Sequence, residues 1–194
     1  MKSQHELLSS TNFCVIVPTY NNQKTLKKVL DSILDFTSNV IIVNDGSTDS
    51  TSEILKQYSQ LTQIHHPKNL GKGRALRNGF RKAIELDFEY AITIDSDGQH
   101  FAADIPIFIE AIQNEPNALL IGSRNMTQEN VPKKSSFGNK FSNFWFKFET
   151  GIKLDDTQSG FRLYPLRLLP KRFYTNKFEF EIELIVRAAW KGIV

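Results

Sequence analysis

The stretch Tyr90-Ala-Ile-Thr-Ile-Asp-Ser-Asp-Gly-Gln-His100 restricts this chain more than any other. Apolar and β-branched residues lead up to Asp95, and then the text turns polar with Asp95, Asp97, Gln99 and His100 around Gly98. A short apolar run that breaks into turn residues predicts a buried strand. Its carboxyl end then carries two carboxylates on a tight loop, and ligands of open α/β sheets bind outside the carboxyl ends of strands. Two Asp separated by one residue, with an amide nearby, make a hard-oxygen set suited to Mg2+ or Mn2+ on a diphosphate. Asp-Ser-Asp-Gly is equally ordinary chemistry for a solvated turn, and both readings stand at this point.

A chain of 194 residues suits one domain with a sizeable core. With 40% hydrophobic and 23% charged residues it has a globular composition, not a disordered one. A net charge of +3 tolerates anionic ligands or a phospholipid surface but makes no case for nucleic acid. The single cysteine, Cys14, lies in an apolar run, which excludes an internal disulfide and suits a reducing compartment. Residues 1–12 read as a polar extension without the apolar core of a signal peptide. No apolar run approaches the roughly 18 residues of a membrane span. The expected location is cytoplasmic, with the inner face of a membrane also open to the chain. At the other end Gly192-Ile-Val194 reads as the start of another strand, so the domain, 13–194, is expected to continue past Val194.

In chain order, Phe13-Cys-Val-Ile-Val-Pro18 is a continuous apolar run of the kind found in central parallel strands. A polar loop, Thr19-Tyr-Asn-Asn22, follows it. Leu26, Val29, Leu30, Ile33 and Leu34 then recur at helical spacing over about 24–36. Val40-Ile-Ile-Val43 is a second strand and Asn44-Asp-Gly-Ser-Thr-Asp49 its terminal loop. Ser50 with Glu53 matches a capping box for a helix to about Ser59. A weaker strand is expected near Gln63–His65, and Asn69-Leu-Gly-Lys-Gly-Arg74 opens a helix with an apolar face through Leu76, Phe80 and Ala83. Asp104 is placed to cap the next helix, with Pro106 in its first turn. Ala118-Leu-Leu-Ile-Gly122 is a fifth strand and Thr127–Ser136 the best loop candidate. Alternating strands and helices predict an α/β fold with a mainly parallel central sheet.

Three strands thus end in polar loops, at Thr19–Asn22, Asp45–Thr48 and Asp95–Gln99, and in a parallel sheet those ends share one edge. Asp45 there could accept from a nucleobase or ribose, or serve only as the turn residue before Gly46. Gly71-Lys-Gly73 at a helix start could offer N–H groups and the Lys72 charge to phosphate, although helix entry alone explains it. It is not a Walker loop, because the four-residue spacer and the final Ser or Thr are missing. His65 and His66 have no carboxylate or Cys at ligand spacing and read as surface residues at a strand end.

These loops together resemble the family 2 glycosyltransferases of the GT-A fold. The matching text is Val17-Pro-Thr-Tyr-Asn21, Val43-Asn-Asp-Gly-Ser-Thr-Asp49, Asn69-Leu-Gly-Lys-Gly73 and Asp95-Ser-Asp-Gly-Gln-His100. Gly122-Ser-Arg124, Phe137-Gly-Asn-Lys140 and Asp156-Thr-Gln-Ser-Gly-Phe-Arg162 extend it. The chain is most similar to the dolichyl- or polyprenyl-phosphate mannosyltransferase branch, over about Phe13 to Gly192. That branch usually has Glu where this chain has Asn22. The resemblance implies a single GT-A domain and an inverting transfer from a GDP- or UDP-sugar to a polyprenyl phosphate or membrane-associated glycan. It implies a donor site from Pro18, Thr19, Tyr20, Asn22, Asp45, Lys72, Asp95, Ser96 and Arg124. Asp95, Asp97 and Gln99 would hold Mg2+ or Mn2+, with Asp97 and Asp156 as the catalytic residues. Asp156 would be the general base for an alcohol acceptor. A phosphate acceptor, already ionised, needs none, and Asp155 is hard to separate from its neighbour.

Phe137, Phe141, Phe144, Trp145 and Phe148 fall on one helical stripe flanked by Lys133, Lys134, Lys140 and Lys147. Aromatics with cations suit an interfacial helix, but such a stripe is more often packed on a sheet. In the last helix, about 179–191, Glu181 and Glu183 read as its solvated face. Other functions remain open: transfer to a sugar hydroxyl, or a non-catalytic nucleotide-sugar-binding module. A nucleotidyltransferase is disfavoured, since no Gly-rich triphosphate loop follows the first strand.

Overall fold

The computed structural model describes residues 3–123, 133–154, 156–170, 172–175 and 179–193, and of 133–141 the backbone alone. Helix α1 (Gln4–Ser10) opens the chain, closed at its start by a capping box between Ser3 and Glu6. Its Leu7 and Leu8 pack on the core, so part of the polar extension is a structured element. Then come β1 (Phe13–Thr19), α2 (Leu26–Leu34), β2 (Val40–Asn44), α3 (Thr51–Lys56) and β3 (Thr62–His65). Helix α4 (Lys72–Glu85), β4 (Tyr90–Thr93), α5 (Ile105–Asn114) and β5 (Leu120–Ile121) follow. Helix α6 (Lys133–Thr150), β6 (Arg162–Pro165) and α7 (Glu179–Ala189) complete it.

The six strands form one sheet in the order β3-β2-β1-β4-β6-β5. Strands β3, β2, β1 and β4 are parallel, and β6 runs antiparallel to both β4 and β5. Both faces are covered, which is why β1 and β2 are buried at every position and apolar until Thr19 and Asn44 end them. Val15 and Val17 point into one core with α2, α3 and α5, and Cys14 and Ile16 into the other with α4 and α7. Burial pushes the Cys14 thiol up to about 12, leaving it protonated and inert.

The chain lays β2 and β3 on one side of β1 and returns to lay β4 on the other. The order therefore reverses between β1 and β4, and a crevice opens outside their carboxyl ends at such a reversal. The α/β fold with a mainly parallel sheet is as expected.

Several local expectations are corrected. Strand β6 has no counterpart in the sequence pattern, because Arg162 and Pro165 disguise it. Ser50 stands before α3 without a side-chain cap; instead Asp49 Oδ1 accepts the Thr51 N–H at 2.9 Å, and Glu53 pairs with Lys56. Asp104 likewise precedes α5 without capping it. Residues 133–136, expected in a loop, belong to α6, while 124–132 lie outside the described residues.

The described part of the aromatic stripe, Phe144, Trp145 and Phe148, faces outward and not onto the sheet. Phe144, Trp145 and Phe148 are 62%, 49% and 72% exposed and touch one another. Helix α6 faces inward on its other side, where Phe146 is buried. There Asn143 Oδ1 accepts the Thr157 N–H at 2.9 Å and the Thr157 hydroxyl bonds Ser142. The Phe137 and Phe141 side chains lie outside the description.

Gly79 tests the packing between α4 and β1. A Cβ there would stand 2.5 Å from Ile16 Cγ2, a β-branched group wedged in a strand. Helix propensity alone favours Ala over Gly by about 1 kcal/mol, whereas overpacking a filled core costs about 1–3 kcal/mol. The contact should win, so Gly79→Ala lowers the melting temperature; a raised one in calorimetry would mean that Ile16 yields.

Candidate active site

The crevice at the strand-order reversal holds a cavity of about 300 Å³ lined by Pro18, Thr19, Tyr20, Asn22, Asp45, Asn69, Gly71, Lys72, Asp95, Ser96 and Asp97. Three loops build its walls and side chains tie them together. Asn21, in the left-handed region at φ 53°, donates its N–H to Ser47 and accepts the Thr48 N–H at 2.8 Å. Asn22 donates to Ser96 Oγ at 2.7 Å, and Ser96 Oγ donates to the Pro18 carbonyl at 3.0 Å. The Thr25 hydroxyl donates to the Ser96 carbonyl at 2.6 Å. Ser96 is therefore a buried cross-tie that fixes Asp95 and Asp97 on either side of it. Asn22 can donate there, which an ionised Glu could not. Thr19 Oγ1 is buried without a partner among the described residues.

Asp45 is a hub. Its Oδ1 takes the His66 Nδ1–H at 2.6 Å and the Leu70 N–H at 2.9 Å, and Oδ2 takes the Gly71 N–H at 2.8 Å. Asn78 Nδ2 reaches His66 Nε2 at 2.8 Å. Gly46 permits the close approach, because at φ 72° its missing Cβ would lie 2.3 Å from the Lys68 backbone carbon. His66 is thus buried and paired with a carboxylate, not a surface residue; His65 is exposed as expected.

Lys72 opens α4 and bridges two carboxylates: Asp95 at 2.7 Å and Glu181, from α7, at 2.8 Å. Burial works against the ammonium, but the Asp95 and Glu181 charges and hydrogen bonds outweigh it and raise its pKa above the ordinary lysine value. Glu181 is 3% exposed, the opposite of a solvated face, and its Oε1 has no partner among the described residues. The sequence carried the signal: Glu181, Leu184, Ile185 and Ala188 share one helical face, and that face is the buried one. Glu183 is also engaged, accepting from the Tyr174 and Thr175 N–H groups and from Arg187.

Behind Asp95 runs the segment 156–162. Arg162 is wholly buried and donates to three backbone carbonyls, those of Ser159, Thr157 and Glu181, at 2.7, 2.8 and 2.8 Å. It staples this segment to α7. Asp156 is buried at 2% exposure with Oδ1 on the Gln158 N–H, not open to solvent as a lone base would be. Arg124 and Asp155 lie outside the described residues.

Asp97 is exposed and its Oδ1 accepts the Gln99 N–H at 3.0 Å. Gln99 borders a second, more apolar groove with His100, Phe101 and Phe108. Among the described residues no three His, Cys, Asp or Glu side chains gather as a metal centre. The donor set fits a hard divalent ion all the same: carboxylates of Asp95 and Asp97 face one cavity, and a diphosphate can supply the remaining oxygens.

Residues 14–174 match the family model described as glycosyl transferase family 2. This chain belongs to that family. It is 30% identical to the UDP-N-acetylglucosamine–dolichyl-phosphate N-acetylglucosaminyltransferase of Methanococcus voltae, over 90% of this chain and 78% of that protein. It is also 30% identical to the human dolichyl-phosphate beta-glucosyltransferase, over 95% of this chain and 67% of that one. In fold it is similar to glucosyl-3-phosphoglycerate synthase of Mycobacterium tuberculosis solved with Mn2+, UDP-glucose and phosphoglyceric acid. There the TM-score is 0.73 at 18% identity, over 98% of this chain and 69% of that one. The resemblance to family 2 and to its polyprenyl-phosphate branch therefore holds, as do the GT-A fold and the assignment as a glycosyltransferase.

The family 2 chain depends on Gly160 for its acidic loop. A Cβ at Gly160 would stand 2.1 Å from Asp95 Oδ2, so the carboxylate could not stay on Lys72. Asp95 is partly exposed and can swing toward the cavity, which lets the fold survive. Gly160→Ala should therefore leave circular dichroism unchanged while weakening nucleotide-sugar binding; unchanged affinity in calorimetry would show that the Asp95–Lys72 geometry is dispensable.

Proposed function

We propose that this glycosyltransferase moves a sugar from a nucleoside-diphosphate donor, a UDP- or GDP-sugar, to a polyprenyl phosphate, with inversion and with a divalent ion. The observation that carries this is the cavity between β1 and β4, where Asp45, Lys72, Asp95 and Asp97 all face one space. The relatives named above, whose names give dolichyl phosphate as acceptor, support the acceptor class.

In the transfer an acceptor phosphate oxygen attacks the anomeric carbon, the bond from that carbon to the donor diphosphate breaks, and nucleoside diphosphate leaves. Charge grows on the leaving diphosphate. A bound Mg2+ or Mn2+ would supply Lewis-acid stabilisation of that charge, worth several kcal/mol. Asp95, Asp97 and Gln99 would hold it. Lys72 adds a cation on the same wall, and Asp45 with Pro18, Thr19 and Tyr20 holds the nucleoside. Arg124 is assigned to the diphosphate by family resemblance. A phosphate acceptor arrives ionised, so no proton need be taken from it. This agrees with the burial of Asp156, which then positions the segment behind Asp95.

Asp97→Asn removes a charge from an exposed side chain and should shift the melting temperature by no more than about 2 °C. Transfer to a polyprenyl phosphate should fall to the rate that chelator-treated protein shows; transfer at the parent rate would remove Asp97 from the ion site.

The exposed cluster of Phe144, Trp145 and Phe148 supports peripheral contact with the membrane that holds such an acceptor. No described helix is long and apolar enough to cross a membrane. In flotation with anionic liposomes the double variant Phe144→Ala, Trp145→Ala should stay in the lower fractions while the parent rises. Equal flotation of both would remove this surface from the reading.

A further inference from the structure

Among the described residues Asp45 holds three N–H donors of defined geometry, so its remaining acceptor capacity can be counted. An ionised carboxylate offers about four lone-pair positions, two on each oxygen. His66 Nδ1–H and the Leu70 N–H fill both on Oδ1, and the Gly71 N–H takes one on Oδ2. One position is left, on Oδ2. The two backbone donors belong to the loop that Gly46 admits and cannot be exchanged by mutation. The His66 donor is a side-chain choice, and it is held in place. Asn78 Nδ2 donates to Nε2, which makes the ring the Nδ1–H tautomer and aims that hydrogen at Asp45.

Nucleobases differ in what they bring to such a site. Uracil presents a single donor, N3–H, between two carbonyls. Guanine presents two neighbouring donors, N1–H and the N2 amine, which need an acceptor on each of two oxygens. With Oδ1 full, one guanine donor would be buried unpaired, at a cost of about 1–3 kcal/mol. We propose that His66, steadied by Asn78, is a specificity-determining positioning residue: by occupying Oδ1 of Asp45 it makes the donor pocket select uracil over guanine. This deepens the nucleotide-sugar reading and rests on it.

The test is calorimetric titration of the full chain with UDP and with GDP in Mn2+. The parent should bind UDP at least about tenfold more tightly than GDP, the loss expected from one unpaired donor. His66→Ala deletes the donor and opens the space before Oδ1, so it should shrink the UDP-to-GDP ratio by at least about threefold. His66→Asn places an amide N–H where Nδ1–H stood and should keep the parent ratio. A residue with only a packing role would move both affinities together in His66→Ala and leave the ratio alone. Equal binding of the two nucleotides by the parent, a constant ratio in His66→Ala, or a collapsed ratio in His66→Asn would each overturn the proposal. If His66→Ala does not fold, His66→Asn with the parent decides. Failure of the parent to bind either nucleotide would instead sink the nucleotide-site reading, and this inference with it.

Discussion

The contact between Lys72 and Asp95 holds the site together. It joins the first turn of α4 to the loop after β4, and through Glu181 it draws in α7, more than a hundred residues further along the chain. Partly buried charges are neutral in their effect on stability only while each keeps its partner; removing one leaves the other uncompensated at a cost of about 3–5 kcal/mol. Glu181 is the most buried of the three and Arg162 lies just behind it, donating to its carbonyl. The cluster is therefore charge-balanced, with two cations and two carboxylates packed between α4, β4, β6 and α7. That balance lets a polar crevice sit against a dry core without loosening it.

A second hub works by different means. Asp45 takes backbone N–H groups and an imidazole N–H, where Asp95 takes the Lys72 ammonium. The two carboxylates on the wall thus differ. Asp95 is neutralised by Lys72, and Asp45 is solvated by the protein's own dipoles. An ionised carboxylate satisfied by dipoles still attracts donors, whereas one paired with an ammonium has already met its match.

Much of this could be read from the residues, and the parts that could not have physical causes. Continuous apolar runs such as Phe13–Val17 and Val40–Val43 can only be central strands, and turn residues mark their ends without ambiguity. The strand-end loops therefore fell in place on one edge, and Pro18, Thr19, Tyr20, Asn22, Asp45, Lys72, Asp95, Ser96 and Asp97, which the family resemblance gathers into one site, all line one cavity. Ser96 and Asn22 prove to be the ties that shape the wall. What stayed hidden was burial of charge. Strand β6 begins with Arg162, which only a full set of carbonyl acceptors makes tolerable inside a protein, and no local pattern announces such a set. His66 and Glu181 are polar for the same reason: each has a partner 21 or 109 residues away, at Asp45 and Lys72, and although periodicity puts Glu181 on the apolar face of its helix, it names neither partner. The aromatic stripe of α6 misled in the opposite sense. Its spacing identified a face but not the direction in which that face points.

The asymmetry of the acidic loop also bears on how a cation would be received. Asp95 and Asp97 stand one residue apart on either side of the Ser96 tie, yet their surroundings are unlike. Asp97 is exposed, in high dielectric, beside a neighbour whose charge is already cancelled. A cation can approach it without breaking any ion pair. For Asp95 the same approach means competing with Lys72 in a partly desolvated place, where charge interactions are stronger than in water. Lys72 keeps Glu181 as an alternative partner, and the second oxygen of that carboxylate has no bond of its own among the described residues. The ammonium can therefore move off Asp95 and remain paired. Glu181, which no motif marks, is thus the partner that Lys72 would keep if Asp95 turned away from it.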